Sequence, residues 1–326
     1  MNFFVIKKPV LILLLILGPL LGGCSLVKLN LTPGVTPFEE KVVSGEGDHK
    51  VLMIPIEGVI SNMKKRSLMG GQYDVGMVEK VRETLIKAGE DPGIKALVLK
   101  INSPGGTVTS SDIIYHEIRK FREEKKIPVY AWVVDMAASG GYYISLAADK
   151  IIAHPTSITG SIGVITVKVN LKGLMDKVGV DWEIIKSGDK KDFLSPFRAI
   201  TDEERQLFQE TIDDFYNRFV KTIADNRKGL DESDVRSLAD GRVFTSAQAI
   251  EKKLIDQIAY RDEAEDLIKK DLGVETIKVV TYIRSGEYKS NLYSSIPETP
   301  VINLVNLNLN FIPESPGPHF FYLWLP

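Results

Sequence analysis

The chain has 326 residues, 44% of them hydrophobic and 26% charged, enough apolar content for a sizeable core in one large or two smaller domains. Its 41 Lys and Arg against 43 Asp and Glu leave a formal charge of −2, with the basic residues scattered among the acids, so no nucleic acid partner is expected. A single cysteine allows neither an intramolecular disulfide nor a cysteine-based metal site.

The N-terminus reads as an export segment. Lys7 and Lys8 precede an apolar run of about 14 residues, which suits the hydrophobic region of a signal peptide and is short of the roughly 20 residues a membrane span needs. The run ends in Leu21, Gly22, Gly23 and Cys24, a pattern that resembles a bacterial lipobox, in which Cys24 is lipidated and becomes the mature N-terminus. A plain N-terminal membrane anchor is the alternative. Either way residues 1–23 would tether the protein to a cell membrane, with the body on the periplasmic, extracytoplasmic side. Residues 24–50 carry Pro, Gly and charge without a lasting period and are expected to be a linker.

The body then alternates. VLMIPIEGVI (51–60) has the pattern of a buried strand, and MVEKVRETLIKAG (77–89) that of a helix stopped at DPG (91–93). KALVLKINSPGG (95–106) is a strand running into Pro and two glycines. SSDIIYHEIRKFREEKK (110–126) has helical spacing, with Ser111 and Asp112 as capping candidates. IPVYAWVVDM (127–136) is a second buried strand, and SGGYYISLAA (139–148) a helix beginning at the serine. This rhythm implies right-handed crossovers and a largely parallel sheet. KIIAHP (150–155), GVITVKV (163–169) and VDWEIIKSG (180–188) read as further short strands. Residues 201–229 form the clearest helix, with Thr201 and Glu204 as a capping box, a stripe of Phe208, Ile212, Phe215, Phe219 and Ile223, and Gly229 as its stop. From about 289 the sequence becomes proline-rich and apolar, with an alternating NLNLNF (306–311) and a terminal FFYLWLP. Exposed apolar sequence of this kind usually covers a groove, a neighbour or the bilayer.

Two glycine turns, SPGG and ASGG, follow successive strands. In a parallel sheet such turns meet at the carboxyl ends of the strands, where ligands bind. The N–H of Gly140 and one from Gly105 or Gly106 could together form an oxyanion hole beside the hydroxyl of Ser139. The competing structural reading is that Ser139 caps a helix and the glycines only permit close packing. A serine nucleophile needs a base. His49, His116, His154 and His319 all lie in contexts that suit surface or structural roles, and the nucleophile-elbow pattern is broken by Ala137. A neutral lysine is the other acceptor, and burial can lower its pKa from about 10.4 by the roughly three units needed. Lys150, Lys168, Lys172, Lys177, Lys186, Lys190 and Lys191 are all candidates on this argument.

INSPGG (101–106), DMAASGGYYIS (135–145), TGSIGVI (159–165), KSGDKKDFLSPFR (186–198) and GRVFTSAQAIEKKLID (241–256), in this order, resemble the signal peptide peptidase A family, the S49 serine peptidases. The first motif is shared with Clp proteases and crotonases. The resemblance implies Ser139 as nucleophile, Lys191 as general base, Ser161 as a hydrogen-bond partner of the lysine, and Gly105, Gly106 and Gly140 as the oxyanion-hole glycines. Lys191 is favoured over Lys190 because it directly precedes Asp192. Clp relatives place a histidine about 25 residues after the serine, where this chain has Val164. One departure is Lys253, which stands where the family usually has glycine.

The implied fold is α/β, a crotonase- or Clp-protease-like spiral of stacked βα units assembled into an oligomeric ring. Residues 51–286 would be the peptidase domain and 287–326 a tail outside the resemblance. The implied function is a membrane-tethered serine endopeptidase, needing no cofactor or metal. It would degrade cleaved signal peptides and other short apolar or unfolded peptides, in a homo-oligomer whose active sites are shared between protomers. The alternatives are a crotonase-type acyl-CoA enzyme and an inactive membrane-associated scaffold. The alternation in NLNLNF further suggests a tail that docks in a neighbour's groove as substrate mimic or regulator.

Overall fold

The computed structural model describes residues 37–62, 76–284 and 320–324. The chain enters through β1 (Glu39–Gly45) and β2 (Lys50–Glu57), then α1 (Met77–Glu90), β3 (Ile94–Ser103), the short β4 (Gly105–Thr107) and α2 (Val108–Lys125). It continues through β5 (Val129–Ala138), α3 (Gly140–Ser145), β6 (Lys150–Ala153), β7 (Ile158–Gly160) and α4 (Lys172–Val178). The long α5 (Asp202–Asn226) leads into α6 (Glu232–Leu238), β8 (Val243–Thr245), α7 (Ser246–Glu251), β9 (Gln257–Ile258), α8 (Arg261–Leu272) and β10 (Lys278–Ile283). Last comes β11 (Phe321–Leu323).

The main sheet runs β1-β10-β2-β3-β5-β6-β9, parallel throughout except for β1. It is parallel because each strand of its centre is followed by a helix that returns the chain over the face. Strand alternation sorts the side chains into two cores. From β2, Leu52, Ile54 and Ile56 join the larger core with α1 and α2, while Val51 and Met53 join the opposite face with Tyr130, Trp132 and Ile152, covered by Ala264 and Ile268 of α8. The upper part of β5 leaves β6 and pairs instead with β7, so Ala138 lies beside Gly160. That switch brings the Ser139 turn and the end of β7 together.

Several elements differ from the sequence expectation. The stretch 24–50, read as a linker, contains β1, held antiparallel to β10. Helix α2 starts at Val108, because Thr107 and not Ser111 or Asp112 is its N-cap, accepting from Ser110 N–H. The helix read from 139 ends at Ser145. Neither 163–169 nor 180–188 is a strand; the first keeps one bridge, Ile165 to Phe321, and α4 lies between them. The other apolar residues find no strand to pair with among the described residues: Val167, Val169, Val180 and Trp182 are about half exposed and Ile185 is 97% exposed. α5 forms with the expected capping box, Thr201 Oγ1 accepting from Glu204 N–H and Glu204 from Thr201 N–H.

Among the described residues no helix is long and apolar enough to cross a membrane. The apolar run before Cys24, Cys24 itself and NLNLNF lie outside the described residues.

Candidate active site

Ser139 sits where β5 gives way to α3, with φ 53° and ψ −113°. A non-glycine residue held there costs on the order of 1–3 kcal/mol and persists only where its surroundings fix it. Here its N–H donates to Gly160 O at 2.7 Å and its carbonyl accepts from Tyr143 N–H at 2.8 Å. The hydroxyl makes no capping bond and, though buried, has no hydrogen-bond partner among the described residues. The helix-cap reading therefore fails on geometry. A buried hydroxyl left unpaired is unfavourable by about 1–3 kcal/mol, so the turn holds an unbonded oxygen against its own stability.

The glycines of the first turn converge on the same point. Gly105 has φ 102°, outside the range an L side chain accepts readily. Its N–H donates to Ser103 Oγ at 3.1 Å, and that hydroxyl donates to Gly58 O at 2.6 Å. Gly106 lies between two segments of the chain: on one side Ile60, through Ile60 N–H to Gly105 O and Thr107 N–H to Ile60 O, and on the other β11. A Cβ built on Gly140 would stand 3.2 Å from Gly106 N and 3.1 Å from Tyr322 O. Of the two first-turn glycines, Gly106 thus has the N–H turned to the site, and Gly105 contributes the absence of a side chain.

The segment Phe320–Trp324 is what sequence reasoning did not place here. It runs antiparallel to β4 with Tyr322 opposite Gly106. Val108 N–H donates to Phe320 O and Trp324 N–H to Pro104 O, so the two-residue period of the ladder makes Gly106 and Tyr322 a hydrogen-bonded pair. On its other edge Phe321 exchanges both main-chain bonds with Ile165 at 3.0 Å. The signal for this was faint: an apolar FFYLWLP with no charge.

Tyr322 points inward, fully buried, stacked on Tyr143 at 5.2 Å and tilted on Phe219 at 4.6 Å, with its hydroxyl donating to Phe215 O at 2.8 Å. Tyr143 donates to Asp112, which also takes Arg218 at 2.7 Å. Burial pushes both phenols above the usual tyrosine range, so each stays a neutral donor.

Ser161 directly follows the short strand β7, has φ 49° and donates its N–H to Arg242 O. It follows Gly160, the acceptor of Ser139 N–H, so the two serines are adjacent through main chain. Lys191 is elsewhere. It is exposed, and its amine has no hydrogen-bond or ion-pair partner among the described residues. Since Ser139 Oγ has no partner, no lysine of the described residues reaches it, nor does His49, His116 or His154. The segment around Lys191 is nonetheless fixed. Asp192 accepts from Arg198 and from Lys186, and Arg198 also grips Glu204 in the first turn of α5. These cations, Arg198 first, hold the Asp192 carboxyl well below the usual range, and Arg198 brings Glu204 to about 2. Lys190 is taken by Glu203 at 2.5 Å. Lys168 donates to Arg198 O, and burial, helped by the Arg198 charge, lowers its pKa.

What these strand ends can do is open an acyl bond, with an unbonded hydroxyl placed beside main-chain donors for the oxygen of a carbonyl. That sets the molecule among serine hydrolases on a Clp-protease-like α/β sheet, and residues 57–159 match the Clp protease family. Residues 121–275 match Peptidase family S49. A protein of Enterococcus faecium described as a signal peptide peptidase SppA is 38% identical over 245 residues, covering 75% of this chain and 70% of that one. A protease of Synechocystis is 41% identical over 60% of this chain and 69% of its own, and Protease 4 of Salmonella typhi is 34% identical over 61% and 32%. A solved structure of a membrane-bound stomatin-specific protease overlays with TM-score 0.45 at 16% identity, covering 68% of this chain and 85% of that one. The chain belongs to peptidase family S49 and is a serine peptidase, which removes the acyl-CoA alternative.

The glycine replaced by Lys253 is explained by the turn itself. Lys253 has φ 59°, a conformation glycine adopts without strain, and its amine donates to Gly229 O. The turn is kept and the strain is borne by the lysine.

Proposed function

We propose that the protein is a membrane-tethered endopeptidase working through a dyad of Ser139 and Lys191 drawn from two copies of the chain, and that it degrades cleaved signal peptides and other short apolar or unfolded peptides. One observation carries this reading: among the described residues of one chain Ser139 Oγ is unbonded and Lys191 is exposed without a partner, so each lacks what the other would supply. The apolar, exposed stretch from Val167 to Ile185 leads to Lys191 and gives a second copy a surface to cover. In the reaction, neutral Lys191 takes the Ser139 proton as the oxygen attacks the peptide carbonyl. Gly106 and Gly140 N–H stabilise the oxyanion, Ser161 orients the amine, and water cleaves the acyl-enzyme. The slot between β4 and Ile165 offers main-chain bonds to both edges of an extended peptide, which favours unfolded substrates. Tethering rests on the apolar run and Cys24.

The test mixes a Ser139→Ala protein with a Lys191→Ala protein. Each alone should be inactive on an unfolded protein such as casein. If neighbours share sites, a one-to-one mixed assembly should regain about a quarter of the wild-type rate, the chance that an intact serine meets an intact lysine. No recovery in assemblies shown to contain both chains would overturn shared sites. Activity should also fall in acid as the lysine is protonated, and a profile flat down to about pH 4 would count against the dyad.

A further inference from the structure

The serine of INSPGG does no chemistry in the reaction drawn above, yet it lies between the two turns that carry the oxyanion glycines. Ser103 is fully buried at the end of β3, where it pairs with Ala137 of β5. Its Oγ accepts from Gly105 N–H at 3.1 Å, two residues on, and donates to Gly58 O at 2.6 Å. Gly58 leads to Ile60, whose N–H donates to Gly105 O at 2.8 Å. One hydroxyl therefore closes a ring that runs from Ser103 to Gly58, along the chain to Ile60, across to Gly105 and back to Ser103. Gly105 O and Gly106 N–H are the two ends of one planar peptide unit, so the direction of that N–H follows from how the ring holds Gly105. The hold is needed because Gly105, at φ 102°, has no side chain to limit its rotation. Ser103 also meets the second turn: a Cβ built on Gly141, next to Gly140, would stand 2.9 Å from Ser103 O and 3.4 Å from Ser103 Cβ.

We infer that Ser103 is a positioning residue of the reaction: through its hydroxyl it aims Gly106 N–H at the oxyanion and sets that donor's place relative to Gly140 N–H. This rests on the oxyanion reading proposed above and adds the side chain that builds it. Without Ser103 Oγ, Gly105 N–H and Gly58 O each lose their partner in a buried turn, and the ring that orients the Gly105–Gly106 peptide is open. The turn then relaxes toward other partners and carries Gly106 N–H with it. That shift weighs on the transition state more than on the bound substrate. A neutral peptide is held along its length by the main-chain edges of β4 and Ile165, whereas the charge on the oxyanion answers to the direction of two N–H groups. Loss of the Ser103 hydroxyl therefore falls on kcat and spares KM.

The test uses the full-length protein, fluorogenic casein as substrate, and a peptide boronate, which forms a tetrahedral adduct on the serine with an oxygen in the oxyanion hole. Ser103→Ala should lower kcat about 10- to 100-fold while KM stays within about threefold, and boronate affinity should weaken by the same factor as kcat/KM. In a Ser139→Ala background the same change should leave the affinity for unfolded casein, read by fluorescence anisotropy, within about threefold. Thr281→Val is the control for a lost buried hydroxyl bond elsewhere, that to Met53 O at 3.0 Å, and should keep kcat near wild type. If Ser103→Ala does not fold, Ser103→Cys takes its place, since its thiol fills the site and bonds only weakly, and it should give the same split. A folded variant with kcat within about threefold of wild type, or with casein affinity falling as far as kcat, overturns the inference. So does an equal loss of kcat in Thr281→Val. Gly106→Ala separates the two levels: if it is inactive while Ser103→Ala is active, this inference alone falls. If folded Gly106→Ala is active, the oxyanion reading falls and this inference with it.

Discussion

Replacing Gly106 by alanine should disable the site while leaving the sheet folded, and the structure sets the size of the effect. A Cβ at Gly106 would lie 1.9 Å from Ile60 O, against the 3.0 Å below which Cβ contacts essentially never occur. Backbone must therefore move by about 1.1 Å. Ile60 cannot give way freely, because its N–H donates to Gly105 O at 2.8 Å and its carbonyl accepts from Thr107 N–H at 2.9 Å. A retreat of that size lengthens both bonds past bonding distance, a loss of about 1–3 kcal/mol of stability. It also shifts Gly106 N–H, the oxyanion donor proposed above together with Gly140. A misplacement of about 1 Å at reacting groups lowers rate about 10²-fold, and loss of one oxyanion donor about 10²–10³-fold. The assay is hydrolysis of a fluorogenic unfolded protein, with circular dichroism and thermal unfolding to show that the variant is folded. A folded Gly106→Ala protein with kcat within about threefold of wild type would refute the argument.

Three further outcomes follow from the geometry. Glu204 is ordinary when unfolded, near 4.5, and is lowered to about 2 when folded, so it contributes stability above about pH 4.5 that is lost as pH falls through about 2; thermal unfolding of wild type should weaken across that window, and Glu204→Gln should flatten the slope. Lys253→Gly removes a left-handed lysine worth about 1 kcal/mol of strain, so Tm should rise by about 1–3 °C in differential scanning calorimetry, less whatever the Gly229 bond supplied. Asp192→Ala releases Arg198 and Lys186 from the segment carrying Lys191; turnover should drop at least about tenfold while fluorophosphonate labelling of Ser139 in stoichiometric amounts persists, and unchanged turnover would show that Lys191 is not positioned by that clasp.

The centre of the fold was legible because it is local. β2, β3 and β5 are apolar, β-branched runs closed by turns, and α5 announces itself by a capping box and an apolar stripe. Ser139 and its glycines were legible as a short motif whose chemistry needs those residue types in that order. The misses share a cause, which is that distant partners decide them. EEKVVSG is polar enough to pass for linker, yet it pairs with β10 more than two hundred residues away. GVITVKV and VDWEIIKSG have strand-like composition but, beyond the bridge from Ile165 to Phe321, no edge to join among the described residues, so most of them lie open. β11 is three residues long, too short for periodicity to show, and is a strand because β4 makes it one. Lys191 came from the resemblance; burial and charge within one chain single out no lysine beside Ser139.

The pairing of β11 with β4 also sets a threshold for every other peptide. A segment joined to the body by its own chain faces the slot at an effective concentration on the order of millimolar, whatever the dilution of the protein. A free peptide at micromolar level competes poorly with it. On the tethering proposed above, peptides confined with the enzyme to one membrane surface would reach comparable local concentrations, so the internal strand would act as a filter that passes crowded, surface-bound chains and screens out dilute ones.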